Sequence, residues 1–237
     1  MKFFGTKSSA LAKERYVPVS HHQEQRNVQL GFNMSQVFRS DPKQIGFIAA
    51  KHTFVGKMLN GFDRVLEIGC MDGFGSAIVS SFVKELTAID FFEEHVAQAK
   101  QHAAPELKNV EFLGCDFLDE PTDNRYDGCF ALDVLEHIDP AQEPLFLTNV
   151  VRTLKEHGVF VVGMPSLESQ VYASEENKFS HINCQSSDQL AKTLKKYFHN
   201  VFTFGINDGV LHTGYGKMCH YLMNVCAGPR KSPIKGQ

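Results

Sequence analysis

A glycine-rich segment at residues 67–75 holds the residue types best suited to binding a nucleotide-like ligand. It runs Glu-Ile-Gly-Cys-Met-Asp-Gly-Phe-Gly and directly follows a short apolar strand predicted for residues 65–68. Glycine at Gly69, Gly73 and Gly75 lets the backbone turn sharply and approach a ligand without an intervening side chain. The pattern therefore predicts a cofactor site at the carboxyl end of the first strand.

The acid at Glu67 helps to choose between two cofactors that use such a turn. A dinucleotide such as NAD presents a diphosphate there, which a carboxylate would repel. S-adenosylmethionine has no phosphate but carries an ammonium and a sulfonium group, for which a nearby acid is favourable. The charge pattern favours the methyl donor, and an NAD-dependent oxidoreductase is the alternative within the same fold.

Two more acids end the next two predicted strands. Asp90 stands where a carboxylate can accept hydrogen bonds from both hydroxyls of a ribose, in either cofactor. Asp116 is placed to bond an adenine amino group, and Phe91 or Phe117 is placed to lie against the ring. Three successive strand ends are thus expected to point at one ligand.

The elements that position these residues alternate along the chain. Apolar runs typical of strands are separated by segments of helical periodicity. The predicted strands are 65–68, 86–89, 110–113, 128–132 and 159–162, and the helices between them are 75–84, 93–102 and 143–155. This alternation implies parallel pairing and a doubly wound α/β sheet covered by helices on both faces.

Several of these segments together carry a family resemblance. Residues 65–75, 89–90, 115–116 and 126–138 resemble, in order and spacing, the motifs of class I S-adenosylmethionine-dependent methyltransferases over about residues 63–165. The run Asp-Val-Leu-Glu-His at residues 133–137 is similar to a signature of their small-molecule branch. The resemblance implies a Rossmann-like, doubly wound seven-stranded sheet whose last strand is antiparallel.

The same resemblance implies S-adenosyl-L-methionine as the cofactor and S-adenosyl-L-homocysteine as the product. The residues expected to bind it are Glu67, Gly69, Cys70, Asp72, Gly73, Gly75, Asp90, Phe91, Asp116, Phe117 and Asp133. Cys70 and Met71 stand where another glycine is common in the family. That departure concerns the geometry of the loop rather than the identity of the ligand.

Methyl transfer to a hydroxyl requires alignment of the two substrates and removal of a proton, for which histidine is suited near neutral pH. His137, just past the fourth strand, and His181, in a segment expected to cross the acceptor mouth, are the two candidates for the base. His181, His212, His220 and Asp208 have spacings that match no recurrent metal site, so no metal is expected.

The acceptor is expected to be a small molecule, with O-methylation of a carbohydrate or nucleotide sugar favoured and N-methylation less so. Arg39, Lys43 and Lys51 flank a helix predicted to begin near Pro42 and are candidates for facing an acidic acceptor. Outside catalysis, the alternative is a sensor or scaffold subunit that binds S-adenosylmethionine without turnover.

Composition limits the partners and the compartment. The chain has 24 Lys and Arg against 27 Asp and Glu, so nucleic acid is an unlikely partner. Six cysteines without a Cys-x-x-Cys pair favour a reducing cytoplasm, and no apolar run approaches the roughly 20 residues of a membrane span. A homodimer is left open.

Three regions are predicted along the chain. Residues 1–42 are polar and form an N-terminal arm or lid, residues 43–228 form the methyltransferase domain, and residues 229–237 form a flexible tail rich in Gly, Pro and Lys. The end of the domain holds one more helix, at 187–197, and two strands, at 200–204 and 219–225.

Overall fold

An eight-stranded sheet is the centre of the computed structural model, which describes residues 27–119, 121 and 125–234. Its strands are β1 (Arg64–Ile68), β2 (Glu85–Asp90), β3 (Val110–Gly114), β4 (Tyr126–Leu132), β5 (Leu154–Pro165), β6 (Phe198–Asn207), β7 (Val210–His212) and β8 (Tyr221–Pro229). Their order is β3-β2-β1-β4-β5-β8-β6-β7. The first five are parallel, and β8 runs antiparallel between β5 and β6.

Helices flank this sheet, as the alternating pattern predicts. They are α1 (Phe32–Ser40), α2 (Lys43–Met58), α3 (Phe74–Ser80), α4 (Glu93–His102), α5 (Glu143–Thr153), α6 (Glu175–Ser180) and α7 (Ser187–Leu194). Single 3₁₀ turns lie at Ala104–Glu106, Leu135–His137, Glu168–Tyr172 and Gly216–Met218. The Rossmann-like α/β fold with an antiparallel last strand is confirmed. None of the described helices is long and apolar enough to cross a bilayer.

The strand beyond the expected seven is β7, a short strand at the edge of the sheet. Asp208 and Gly209 both have positive φ angles, of 50° and 82°, and join β6 to β7 in a two-residue turn. Two successive left-handed residues match the right-handed twist of a hairpin. Residues 205–212 therefore form a β-hairpin.

The core lies on both faces of the central strands. On one face α5 contributes Phe146, Leu147 and Val150, and on the other α2 contributes Val55 and Leu59, all fully buried. The continuous apolar runs of β4 and β5 are explained by this burial on both sides. The packing fixes the carboxyl ends of β1, β2 and β4 along one edge, where the predicted site residues lie.

Part of the predicted N-terminal arm is helical. α1 buries Met34, whose backbone N–H donates a 2.9 Å hydrogen bond to Oδ2 of Asp72 in the glycine-rich turn. Residues 1–26 of the predicted arm lie outside the described residues, as do residues 235–237 of the predicted tail. Two tail residues hydrogen bond through their backbone N–H groups, Arg230 to the carbonyl of Tyr197 and Ile234 to that of Lys196.

Candidate active site

The glycine-rich turn after β1 is shaped by left-handed backbone conformations. Gly69 has a φ of 83° and Met71 a φ of 48°, and the N–H groups of Gly69 and Cys70 both donate to the carbonyl of Ile89, at 2.8 and 3.0 Å. A Cβ atom on Gly69 would overlap the Val134 side chain beyond β4. Glycine is thus required where the ends of β1 and β4 approach each other.

Glu67 lies beneath this turn rather than in the open cleft. Its side chain is buried, and Oε2 accepts a hydrogen bond from the Ser76 hydroxyl on α3. Desolvation raises the pKa of Glu67 to about 8, against the hydrogen bond from Ser76 and with a smaller contribution from Asp90. A cationic donor bound above it would favour the ionised carboxylate.

Asp90 organises the end of β2. Its buried carboxylate accepts hydrogen bonds from the N–H groups of Met71, at 2.9 Å, and Phe92, at 3.0 Å, and lies 3.1 Å from Nδ1 of His95. The neighbouring Phe91 ring is 61% exposed, although it contacts Phe92. Asp90 therefore ties the glycine-rich turn to β2, beside an aromatic surface open to solvent.

The other residues predicted to hold the cofactor are placed in different ways. Asp116 is exposed, and its Oδ1 atom accepts a 3.0 Å hydrogen bond from the N–H of Leu118. Phe117 is buried in the core edge-on to Phe146, with 5.6 Å between ring centroids. Asp72 is buried and engaged with α1. Phe91 is therefore the better placed of the two predicted aromatic residues to contact an adenine ring.

Asp133 follows β4 in a left-handed conformation with a φ of 57°. One of its carboxylate oxygens is ion-paired with Nζ of Lys51 on α2. The sequence suggests that Lys43 and Lys51 face an acidic acceptor from the flank of a helix. Lys43 is instead 89% exposed beside Asp41, and Lys51 is buried, so that suggestion is wrong for Lys51.

The two candidate bases lie next to each other. The rings of His137 and His181 are edge-on, 5.1 Å apart, and their Nδ1 atoms lie 3.0 Å from the carbonyl of Ser180 and from Oε1 of Gln170 respectively. Desolvation, and next the neighbouring His137, lower the pKa of His181. A neutral His181 with a protonated Nδ1 has a free lone pair on Nε2.

Glu136 completes this group and is absent from the residues predicted from sequence. It is fully buried, and neither carboxylate oxygen has a hydrogen-bond partner among the described residues. Burial and the nearby Asp133 raise its pKa well above the ordinary value. Glu136, His137 and His181 bring three potential ligand atoms within 4.8 Å of one another. His212, His220 and Asp208 do not join them.

The residues present fit the donor that the fold implies. One edge of the sheet is lined by the glycine-rich turn, by two carboxylates at the ends of β2 and β4, and by an exposed aromatic ring. Ligands of open α/β sheets bind at this edge, where helices depart on both sides. The order β3-β2-β1-β4 would place adenine, ribose and the amino-acid end of the donor along it in that sequence.

Comparison with known proteins agrees with this geometry. A family model described as "Methyltransferase domain" matches residues 65–158. The ubiquinone biosynthesis O-methyltransferase of Rickettsia bellii (strain OSU 85-389) is 22% identical over 159 residues, which cover 67% of this chain and 63% of that protein. The chain thus spans somewhat less than two thirds of the length of this curated relative.

Solved structures share the fold at low sequence identity. The N-methyltransferase NodS from Bradyrhizobium japonicum WM9, in complex with S-adenosyl-L-homocysteine, has a TM-score of 0.62 and 17% identity, covering 81% of this chain and 91% of NodS. The DhpI complex with the same product has a TM-score of 0.61 and 20% identity, covering 83% and 92%.

The predicted family resemblance and fold are therefore confirmed, and the S-adenosyl-L-homocysteine bound to NodS and DhpI supports the predicted methyl donor. Residues 65–158 are a methyltransferase domain, carried on the class I, S-adenosylmethionine-dependent methyltransferase fold that the sequence motifs predict.

Proposed function

We propose that this protein methylates an oxygen of a small-molecule acceptor, with His181 as the base that removes the acceptor proton. S-adenosylmethionine supplies the methyl group as an electrophilic carbon on a sulfonium. The observation that carries the proposal is the position of the His181 ring, whose Nδ1 atom lies 3.0 Å from Gln170 Oε1. Desolvation lowers the pKa of His181, which favours the neutral ring. A neutral imidazole with Nε2 free can accept a proton near neutral pH.

His137 has a supporting role in this proposal. Its Nδ1 atom lies 3.0 Å from the carbonyl of Ser180, and its ring packs edge-on against that of His181. The contact restricts the orientation of His181, and a charge on His137 would disfavour a charge on His181. Orientation of the base contributes to the rate because the reacting atoms must be aligned.

The acceptor class follows from the rim beside His181. The segment from 167 to 182 exposes large apolar side chains, among them Val171, Tyr172, Phe179 and Ile182. Apolar and aromatic rims favour an acceptor with an aromatic or aliphatic body, and aromatic rings also stack on sugar faces. A hydroxyl on an apolar body is our first choice, and the predicted carbohydrate or nucleotide sugar is the second.

The test is release of S-adenosyl-L-homocysteine with a panel of acceptors divided into phenols, aliphatic alcohols, sugars, nucleotide sugars and amines. We expect turnover with a hydroxyl acceptor and loss of about 10²- to 10⁴-fold in kcat for His181→Gln, the range typical of a lost general base. His137→Gln should lower kcat by a smaller factor. Exposed His199, at the opposite edge of the sheet, supplies the control His199→Gln.

Two outcomes would overturn the proposal. Donor binding without turnover on any acceptor class would favour the sensor or scaffold alternative. Turnover confined to amines would replace O-methylation by N-methylation, the kind of reaction named for the N-methyltransferase NodS. The oxidoreductase alternative predicts tight NAD binding, which the same protein preparation can test.

We also propose a cytoplasmic location, supported by six cysteines without a Cys-x-x-Cys pair, of which Cys70, Cys129, Cys219 and Cys226 are buried. A homodimer and the division into an arm at 1–42, a domain at 43–228 and a tail at 229–237 stay predictions. Sedimentation and limited proteolysis test them directly.

A further inference from the structure

Lys51 is the least exposed lysine of α2, with 3% of its surface accessible. Its Nζ atom lies over the rings of Phe47 and Tyr221, at 4.7 and 4.4 Å from their centroids, and forms an ion pair with Oδ2 of Asp133. Burying an ammonium group is costly, and a buried ion pair is often no more stable than apolar side chains of similar volume. Stability alone therefore gives no reason for a lysine here.

Its partner Asp133 is only partly enclosed. The side chain keeps 41% of its surface accessible, at the end of β4 and next in sequence to Val134, which packs over Gly69. The backbone is fixed as well, because the Asp133 N–H donates a 3.0 Å hydrogen bond to the carbonyl of Gly163. The carboxylate is thus held close to the glycine-rich turn with part of its surface open to solvent.

Lys51 determines the charge of this carboxylate. Desolvation alone would raise the pKa of Asp133, but the charge and hydrogen bond of Lys51, with smaller contributions from Tyr221 and His52, lower it. The other titratable groups around Asp133 are His52 on α2, Glu136 and His181 beyond β4, and Tyr221 on β8. The pKa of His52 falls to about 4 through desolvation, and burial raises those of Glu136 and Tyr221, which favours the uncharged form of each group.

We propose that Lys51 is a positioning residue that holds Asp133 ionised and oriented to receive the ammonium group of the methyl donor. The proposal rests on the donor assigned above. Asp133 lies at the β4 end of the ligand edge, where the amino-acid part of the donor is expected, and a carboxylate between two cations binds both. A protonated Asp133 would leave the ammonium group without an anionic partner at this point.

The experiment compares two ligands that differ in the amino-acid part, which carries that ammonium group. S-adenosyl-L-homocysteine carries the amino-acid part, and 5′-methylthioadenosine lacks it. In calorimetric titrations, we expect Lys51→Met to weaken S-adenosyl-L-homocysteine binding by about tenfold, the effect of one lost charge interaction. Binding of 5′-methylthioadenosine should change by less than twofold. The control Lys43→Met, on an exposed position of the same helix, should change neither affinity.

The pH dependence separates this role from a merely structural one. Relative to wild type at the same pH, Lys51→Met should lose most affinity for S-adenosyl-L-homocysteine near pH 5.5. The loss should become smaller toward pH 8, because Asp133 ionises there even without the charge of Lys51. Asp133→Asn should also weaken binding of S-adenosyl-L-homocysteine more than binding of 5′-methylthioadenosine. In that variant, however, the loss of affinity should not become smaller toward pH 8.

If Lys51→Met lost affinity equally for both ligands, or kept its affinity for S-adenosyl-L-homocysteine, the proposed role of Lys51 would be wrong. Failure of the wild-type protein to bind S-adenosyl-L-homocysteine would instead overturn the donor assignment itself. Lys51→Met should fold, since Asp133 can be solvated from the cleft. A folded Lys51→Arg variant that keeps tighter S-adenosyl-L-homocysteine binding than Lys51→Met would support the requirement for charge.

Discussion

The hydroxyl of Ser76 on α3 donates a hydrogen bond to Oε2 of Glu67 at the end of β1, inside the protein and beneath the glycine-rich turn. The bond joins the first strand to the helix that follows the turn. It also gives a hydrogen-bond partner to one oxygen of a carboxyl group that is buried away from solvent. Glu67 is consequently a buried acid, and its proton affects both stability and donor binding.

Stability should fall as the pH rises from about 5 to 8 because of Glu67. The ordinary pKa of a glutamic acid is 4.5 and that of Glu67 is about 8, so between these values the folded protein keeps a proton that the unfolded chain has lost. This group then lowers the free energy of unfolding by up to about 1.4 kcal/mol per pH unit. Urea titrations at pH 5.5 and pH 8 measure the change.

Glu67→Gln removes that contribution, so its stability relative to wild type should increase with pH. The control is Glu85→Gln, at an exposed position on β2, which should leave the pH dependence unchanged. A wild-type profile that is flat over this range, or equal to that of Glu67→Gln, would contradict a buried protonated acid.

A Gly75→Ala variant should be destabilised by about 1–3 kcal/mol, the usual cost of overpacking a filled site. A Cβ atom at this position would overlap the ring of His52, which is held by the carbonyl of Ile48 at 2.8 Å. The second variant, His52→Ala, removes the ring that this Cβ atom would overlap. The double variant should therefore lose less stability than the sum of the losses in the two single variants. Urea unfolding of the four proteins gives the coupling energy.

Gly46→Ala is a matched control on α2, since among the described residues no side chain other than those of its two chain neighbours lies within 4 Å of a Cβ atom there. It should be neutral or slightly stabilising. Additive effects at positions 52 and 75 would mean that the ring and the glycine do not pack as the structure has them.

An Asp90→Asn variant should bind S-adenosyl-L-homocysteine about tenfold more weakly. Both carboxylate oxygens accept backbone N–H groups, from Met71 and Phe92, and an amide can accept only with its one oxygen. The unpaired N–H would disturb the turn as well as the predicted ribose contact. Calorimetric titration measures the affinity, with NAD as the comparison ligand and Asp63→Asn, at the opposite edge, as the control. Tight NAD binding would overturn the assigned donor.

The sequence predicts those features that depend on local periodicity. Apolar runs such as Val159 to Val162 predict buried parallel strands because they lie in the middle of a sheet covered on both faces. Glycines with positive φ, such as Gly69, identify the turn because few other residues adopt that conformation without cost. The fold and the edge of the sheet that carries the site therefore follow from pattern alone.

The parts that sequence reasoning misses depend on contacts between distant segments. Lys51 belongs to a helix of ordinary composition, and only the packing of α2 beside β4 and β8 directs its side chain to Asp133. Phe117 follows an acid at a strand end, yet it packs against Phe146 of α5 in the core. No spacing within the chain encodes either contact, although a lysine within a helix of apolar residues is a weak signal.

Turnover should survive removal of divalent metal by a chelator, as the sequence predicts, although Glu136, His137 and His181 form a cluster. Each of the three residues offers one ligand atom, and these atoms lie within 4.8 Å of one another, but one of the three groups is a buried acid. Burial and the nearby Asp133 raise the pKa of Glu136, which favours its neutral form, and neutral acids are poor ligands. Activity is measured before and after dialysis against EDTA. If activity were lost and then restored by Mg²⁺ or Zn²⁺ in wild type but not in Glu136→Gln, the three side chains would have to close around an ion, and the two histidines would be ligands rather than bases.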